Sequence, residues 1–299
     1  MPSHEDRLEV AREVLDGLSV GDAIGEALSY QHYKARESAD FSVFRDGTVP
    51  YTDDTEMASA VFETLGSYQS IEEDSIAFAY ACRFRKDPDR GYGKGARRVL
   101  QEIFLNGDWK CASANAFNGG SFGNGTAMRV APLGAYFADN LSVVVEMAVR
   151  SARVTHFHPE GIAGAVAVAV ATAVATSGRA TKHRDLAKAI WNATIERTPE
   201  SRVLQSLITA SEFEASSASK AAQLLGNGAE ISAQDTVPFC IWNACRLITN
   251  YREAIISTIE VGGDCDTNCA IVGGIVSAHL GRSGIPSEWL RVREPLRLK

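Results

Sequence analysis

The chain has 299 residues, and 45% of them are hydrophobic, which is enough for a large core in one sizeable domain or at most two. Its 30 Lys and Arg residues are outnumbered by 37 Asp and Glu residues, so the formal net charge is −7. This acidic balance, without any basic run, argues against a protein that binds nucleic acid or an anionic membrane.

The cysteines and the N-terminus point to a reducing compartment. Six cysteines are present, and none forms a C-x-x-C pair or another common zinc spacing. The first ten residues, MPSHEDRLEV, are polar and acidic, unlike the apolar centre of a secretory signal. We therefore expect a cytoplasmic protein with reduced thiols.

Helical spacing begins near the N-terminus, where apolar residues recur from Leu8 to Leu18. Gly17, Gly21 and Gly25 follow at intervals of four, so they share one helix face and allow another backbone to approach closely. The next predicted elements are a loop over 31–51 and helices over 57–68 and 70–86.

Helical patterns continue to the C-terminus, with two glycine-containing loops between them. The loops span 88–95 and 118–125, and the second is the most glycine-dense stretch of the chain. Pro132 interrupts the helical pattern that follows it. The helices predicted in this part are 96–105, 126–136, 142–153, 159–175, 186–196, 203–215, 217–225, 237–249, 252–261 and 268–279.

The stretch from Gly161 to Gly178 carries no charge, so a membrane span and a buried helix are both possible. Its length is borderline for a membrane and it is rich in Ala, which inserts weakly, so we predict a buried central helix. Alternating β-branched residues are scarce along the whole chain. We expect an all-α globule of about ten or more helices, forming a single domain over residues 1–299.

Two acidic clusters are the strongest chemical signals. They are TDDT at 52–55 and GGDCDTN at 262–268, and each precedes an apolar helical run. Either could be a helix N-cap, and Asp53-x-x-Glu56 has the spacing of a capping box. Capping needs only one short polar side chain, however, and each cluster has at least three. If the clusters meet, their carboxylates would repel unless cations lay between them, which favours two divalent ions and a bound water of lowered pKa.

Three other features accompany the clusters. The loop Gly119–Gly125 permits positive φ and could gather backbone N–H groups around an anion, although it lacks the lysine and the spacing of known phosphate loops; a plain surface loop is the alternative. His156 and His158 could ligate a metal or contact a ligand, but hydrogen bonding at a helix start is favoured. Asp22 would need partners if it is buried, or could be a solvated residue at a helix end.

Taken together, these stretches resemble the ADP-ribosylglycohydrolase family, which includes dinitrogenase-reductase-activating glycohydrolase, the vertebrate ADP-ribosylhydrolases and the J1 crystallins. The matching pieces occur in the family's order and cover most of the chain. They are GDAIG at 21–25, TDDT at 52–55, RGYGKG at 90–95, GSFGNGTAMR at 120–129, TH at 155–156 and GGDCDTN at 262–268. The two acidic motifs, TDDT and GGDCDTN, are highly specific for this family when they occur together, whereas any single motif is not.

The resemblance implies a compact, orthogonally packed all-α fold with a dinuclear Mg²⁺ or Mn²⁺ site in a central cleft. The implied metal ligands are Thr52, Asp53, Asp54, Asp264, Asp266 and Thr267. The implied contacts to ADP-ribose are Gly91, Tyr92 and Gly95 at the distal ribose, Gly120, Ser121, Phe122, Gly123 and Asn124 at the diphosphate, and His156. As catalytic groups, Asp53 or Asp54 would direct a water to the anomeric carbon, and Glu26 or Asp89 could donate a proton to the leaving group.

Two departures from the family pattern bear on the substrate. Cys265 stands between two implied ligands, where the family usually has threonine. Ser29 stands where serine-specific members carry a glutamate, and Glu26 is offset from that place by about one helical turn. We therefore predict hydrolysis of ADP-ribosyl-arginine on protein, over serine-linked ADP-ribose or a free conjugate such as O-acetyl-ADP-ribose or an ADP-ribose phosphate. A non-catalytic ADP-ribose-binding or crystallin-like protein is a further alternative, and a monomer is expected.

Overall fold

The computed structural model describes residues 2–29, 48–179, 182–214 and 217–298. Within these ranges the chain forms 15 α-helices and no named β-strand, which confirms the predicted all-α fold. The helices are α1 (His4–Ser29), α2 (Asp53–Tyr68), α3 (Glu73–Lys86), α4 (Lys94–Asn106), α5 (Trp109–Ala114), α6 (Ala131–Tyr136), α7 (Leu141–Arg153), α8 (Pro159–Ser177), α9 (His183–Arg197), α10 (Arg202–Glu212), α11 (Ala218–Leu225), α12 (Ala233–Arg246), α13 (Tyr251–Ile259), α14 (Cys265–Leu280) and α15 (Ser287–Val292).

The predicted helices are present, but several ends differ because local capping decides where a helix begins. α5 occupies a stretch with no predicted helix, and the Asp108 side chain caps it by accepting from the Cys111 amide. The helix predicted over 126–136 is shorter, because α6 begins only at Ala131 and takes Pro132 into its first turn. The loop predicted over 31–51 lies mostly outside the described residues.

α1 and α14 form the most extensive helix pair, and glycines bring their backbones together. A Cβ atom on Gly21 would lie 2.1 Å from the carbonyl oxygen of Cys269, and one on Gly25 would lie 2.5 Å from that of Cys265. The predicted close approach along the glycine face is therefore confirmed. Because the two helices run in opposite directions, Asp22 of α1 lies beside the first turns of α14.

α8 is the buried central helix that the uncharged stretch predicts. Its residues from Val166 to Ala171 are fully buried, and it packs against α6, α7, α9 and α14. Among the described helices it alone has the length and apolar composition of a membrane span. Most of its surface is covered by other helices of the same fold, which accounts for its apolar composition without a membrane.

The C-terminal segment returns across the N-terminal end of α2. Val49 and Arg293 form an isolated parallel bridge, and the amide of Glu294 donates to the Val49 oxygen at 2.9 Å. Arg293 also forms an ion pair, at 3.0 Å, with the buried Asp16 of α1. These contacts fasten the residues directly ahead of Thr52 to both α1 and the C-terminal segment.

Candidate active site

The two acidic clusters begin two helices whose N-terminal ends face one cavity. Thr52 is the N-cap of α2, and Asp264 is the N-cap of α14. The cavity has a volume of about 510 Å³, which is in the range of small-molecule sites. The members of the two clusters that line it are Asp53, Asp54, Asp264, Asp266 and Thr267.

Asp22 joins the first acidic cluster to α1. Its side chain is fully buried and accepts from the hydroxyl of Thr52 at 2.9 Å and that of Thr55 at 2.5 Å, as well as from both backbone amides. Burial, and then the negative charge of Asp266, raise the pKa of Asp22 to about 7. The prediction of partners for a buried Asp22 is confirmed, and a solvated helix end is wrong, because α1 continues to Ser29.

Asp54 is buried with too few hydrogen-bond partners. Within the described structure its Oδ1 has none. Its Oδ2 lies 3.2 Å from the Thr52 hydroxyl, whose single proton is closer to Asp22. Burial, followed by the charges of Asp266 and Asp22, raises the pKa of Asp54 well above its usual value, and burial and Asp266 do the same for Asp53. A cation among these carboxylates would supply the missing partner and offset the repulsion.

Asp264 does not cap α14 with its side chain. Its Oδ2 instead accepts from the side-chain amide of Asn124 at 2.7 Å. The capping alternative therefore explains Thr52, whose hydroxyl accepts from the Asp54 amide at 3.3 Å, but does not explain the Asp264 carboxylate. Burial, with the charge of Asp266 as the second cause, raises the pKa of Asp264 to about 7.

The glycine loop forms another wall of the cavity. Gly119 and Gly120 have φ values of +135° and +94°, and a Cβ on Gly120 would lie 2.4 Å from the His158 amide nitrogen. The loop amides that already donate within the protein include those of Gly119, Gly120, Gly123 and Asn124. In the described part of the chain the amides of Ser121 and Phe122 make no backbone hydrogen bond, so these two remain for the predicted anion.

His156 lies between the glycine loop and the start of α8. Its buried ring places Nδ1 2.8 Å from the Thr155 hydroxyl, which also accepts from Nη2 of Arg129 at 2.8 Å. Burial, and then the positive charge of Arg129, lower the pKa of His156 to about 3, so the ring is neutral at neutral pH. His158 caps α8 by accepting from the amide two residues on, as predicted for this histidine pair.

The segment before α4 lies against the first acidic cluster. The amide of Asp53 donates to the Arg90 oxygen at 2.6 Å. Gly91 has a φ of +93°, and a Cβ there would lie 3.2 Å from Asp53 Oδ1, so only glycine leaves that carboxylate uncrowded. A Cβ on Gly95 would lie 2.5 Å from the ring of Phe117, which closes this side of the cavity.

Comparison with known proteins decides the family. A family model described as ADP-ribosylglycohydrolase matches residues 3–298. The chain belongs to the ADP-ribosylglycohydrolase family. Human ADP-ribosylhydrolase ARH3 is 30% identical to it, over 93% of this chain and 87% of that protein. ADP-ribosylarginine hydrolase Tri1 of Pseudomonas putida (strain GB-1) is 26% identical, over 96% of this chain and 74% of that protein.

A solved structure supports the same fold. It is described as an ADP-ribosylglycohydrolase-related protein complex and aligns with a TM-score of 0.68 at 23% identity. The match covers 97% of this chain and 94% of that chain. The arrangement of the described helices therefore matches an all-α ADP-ribosylglycohydrolase fold over nearly the whole chain.

Most of the residues that the family resemblance implies lie at the cavity. Besides the five acidic-cluster residues, those lining it are Gly91, Tyr92, Gly95, Ser121, Phe122, Gly123, Asn124 and His156. Thr52 and Gly120 do not line it, because the Thr52 hydroxyl points to Asp22 and Gly120 packs on the backbone of His158. Glu26 is half-buried on α1, where burial and the nearby charge of Asp266 raise its pKa.

The two-metal centre itself stays a prediction. Among the described residues, no group of three or more His, Cys, Asp or Glu side chains is arranged to hold a metal ion. Sequence reasoning also missed two residues that act on the site, namely Arg129, which itself lines the cavity, and Glu294. Arg129 is the last residue of the GSFGNGTAMR motif but has no obvious role in the sequence, and Glu294 carries no local signal at all.

Proposed function

We propose that this protein is a metal-dependent ADP-ribosylhydrolase that cleaves the N-glycosidic bond of ADP-ribosyl-arginine on proteins and releases ADP-ribose. The observation that carries this proposal is the meeting of two acidic clusters at one cavity whose other wall is the glycine loop. Membership of the ADP-ribosylglycohydrolase family supports the reaction class.

The donor set suits two hard divalent cations, Mg²⁺ or Mn²⁺. The residues that would hold them are Thr52, Asp53, Asp54, Asp264, Asp266 and Thr267. Their fit is supported by the buried Asp54 Oδ1, which has no partner in the described structure, and by the crowding of carboxylates, where burial and the neighbouring negative charges raise the pKa of Asp54. The chemistry that such ions supply when bound is to fix ribose hydroxyls and to lower the pKa of a water.

The protein's own groups would divide the remaining work. Asp53 or Asp54 accepts a proton from the attacking water and directs it to the anomeric carbon, while the surrounding negative charge stabilises an oxocarbenium-like transition state. The amides of Ser121 and Phe122 and the neutral ring of His156 face the diphosphate. Glu26, one turn beyond Asp22 on α1, is the first candidate to donate a proton to the leaving guanidine, whereas the Asp89 side chain is 90% exposed.

Two observations support the arginine linkage. Ser29 stands where serine-specific members carry a glutamate, and its hydroxyl donates to the Glu26 carbonyl at 2.7 Å, so it is engaged by its own helix. Tri1, which aligns with 96% of this chain, is named for ADP-ribosylarginine. Both favour arginine over serine as the residue that carries ADP-ribose.

The test is a panel of matched substrates in Mg²⁺. Proteins carrying ADP-ribose on arginine or on serine, together with O-acetyl-ADP-ribose and an ADP-ribose phosphate, are incubated with the enzyme, and ADP-ribose release is followed by chromatography. We expect the arginine conjugate to be turned over fastest. Asp54→Asn and Asp266→Asn should each lower its turnover by about 100-fold or more, whereas Asp139→Asn, which removes only a surface ion pair with Arg7, should not.

The other outcomes identify the alternatives. Faster turnover of the serine conjugate or of a free conjugate would replace the arginine assignment within the same reaction class. Binding of Mg²⁺ and ADP-ribose in calorimetry, without turnover of any conjugate, would indicate a binding protein. Unchanged turnover in both carboxylate variants would contradict the mechanism.

A further inference from the structure

A line of hydrogen bonds leads from a buried arginine to His156. Arg129 is 1% exposed, and its guanidinium lies 4.0 Å from the centroid of the Tyr80 ring. Its Nη2 donates to the Ser151 oxygen at 2.8 Å and to the Thr155 hydroxyl at 2.8 Å. The Thr155 hydroxyl in turn lies 2.8 Å from Nδ1 of His156. Arg129 forms none of the ion pairs in the described residues, although its charge also acts on Asp53.

Donor and acceptor rules fix the direction of each bond. A guanidinium can only donate, so the Thr155 oxygen accepts from Arg129. The one hydroxyl proton of Thr155 then has two possible acceptors, His156 Nδ1 at 2.8 Å and the Ala152 oxygen at 3.5 Å. The longer contact is at the limit of a hydrogen bond, and the Ala152 oxygen already accepts two backbone amides, at 3.1 and 2.9 Å. The Thr155 proton therefore points to Nδ1.

We propose that Arg129 and Thr155 are positioning residues that hold His156 in the neutral tautomer with its proton on Nε2, so that His156 donates a hydrogen bond into the cavity and does not act as a base. Because Nδ1 accepts from Thr155, a neutral ring must carry its proton on Nε2. A second proton on Nδ1 would displace the Thr155 proton and would place a positive ring next to the charge of Arg129.

Glycines leave Nε2 open toward the ligand. A Cβ atom on Gly123 or Gly125 would lie 3.3 or 3.2 Å from Nε2, so a side chain at either place would crowd or cover it. Within the described structure Nε2 makes no hydrogen bond, and His156 lines the cavity. A fixed N–H group in such a site binds an anionic oxygen without having to reorient. The tautomer stands on geometry alone, whereas its use on a diphosphate oxygen rests on the proposed function.

The first measurement is ¹⁵N NMR of the ligand-free full chain labelled at histidine. We expect His156 to show a protonated Nε2 and an unprotonated Nδ1 across about pH 5 to 8, where a free histidine changes charge. His183 is an internal reference, because its Nε2 lies 2.9 Å from the Cys245 carbonyl, which can only accept. The His156 signals are assigned by their loss in His156→Gln. If the wild-type protein shows a proton on His156 Nδ1, or a doubly protonated His156 ring at neutral pH, the proposal is overturned.

The second measurement separates positioning from general structure. Thr155→Val removes the hydroxyl at nearly constant shape, and Thr155→Ser keeps it. We expect Thr155→Val to give a mixture of His156 tautomers and to raise the Kd for ADP-ribose about tenfold in calorimetry. Thr155→Ser should behave as the wild type. An unchanged tautomer in Thr155→Val overturns the proposal. If the tautomers behave as expected but no ADP-ribose conjugate is hydrolysed, the positioning role stands and the proposed function fails.

Discussion

Glu294 and Arg90 form an ion pair that ties the C-terminal segment to the candidate active site. Glu294 Oε1 also accepts from the amide of Tyr51 at 3.0 Å, and Arg90 donates to the Tyr51 oxygen at 2.8 Å. The Arg90 oxygen in turn accepts from the amide of Asp53 at 2.6 Å. One carboxylate close to the C-terminus therefore holds the backbone on both sides of Thr52.

Glu294→Gln is expected to weaken Mg²⁺ binding by about tenfold and to lower the free energy of unfolding by about 2 kcal/mol. The reason is that Arg90 loses a charged partner in a half-buried position and holds Asp53 less firmly. Calorimetric titration and urea unfolding measure the two effects. Glu102→Gln is the control, because its partner Arg98 is 69% exposed and such pairs contribute little. Unchanged Mg²⁺ affinity in Glu294→Gln would show that this ion pair does not position the site.

Asp54→Asn is expected to stabilise the metal-free protein by about 1 kcal/mol while it removes the stabilisation that Mg²⁺ provides. A buried carboxylate among other carboxylates is unfavourable without a cation, so neutralising it relieves repulsion at the expense of function. Urea unfolding with a chelator and with Mg²⁺ gives both free energies. A metal-free variant less stable than the wild type would argue that Asp54 has a structural role.

His156 should make stability fall as the pH is lowered. Its pKa is about 3 in the folded protein and about 6.5 when unfolded, so the unfolded chain binds the extra proton between these values. Stability is therefore lost from about pH 6.5 downward, by at most about 1.4 kcal/mol per pH unit from this group. His156→Gln should flatten the pH profile of unfolding in this window. Identical slopes for the wild type and His156→Gln would contradict the low pKa.

Gly21→Ala should destabilise the protein by about 3 kcal/mol, because the new Cβ would lie 2.1 Å from the Cys269 oxygen at the contact of α1 with α14. Gly66→Ala is the matched control, since the nearest atom, on Leu8, would be 3.9 Å away. At that helical position alanine should be neutral or stabilising by up to about 1 kcal/mol. Thermal unfolding of both variants tests the pair, and equal melting temperatures would argue against a close backbone contact.

Features that depend on residues close together in the sequence could be predicted, whereas features that depend on particular hydrogen bonds could not. Helical periodicity and the spacing of Gly17, Gly21 and Gly25 are local, so they predict both the all-α fold and the face that meets another backbone. The TDDT and GGDCDTN motifs are local as well, which is why five of their members could be placed at a site in advance. The N-cap of α2 is Thr52, one residue before the Asp53 of the alternative capping box, and it depends on a hydrogen bond that spacing alone does not specify.

By itself, the amino-acid sequence determined the helical class, the family and the oxygen-rich side chains available for chemistry, because these depend on short-range pattern and composition. Only the tertiary structure decided which residues, far away in the sequence, position those side chains. Glu294 reaches Asp53 through Arg90, and Arg129 reaches His156 through Thr155, across separations that no local period records. The direction of a proton in such a line follows from the partners that packing brings within 3 Å of each other, and these exist only in the folded chain.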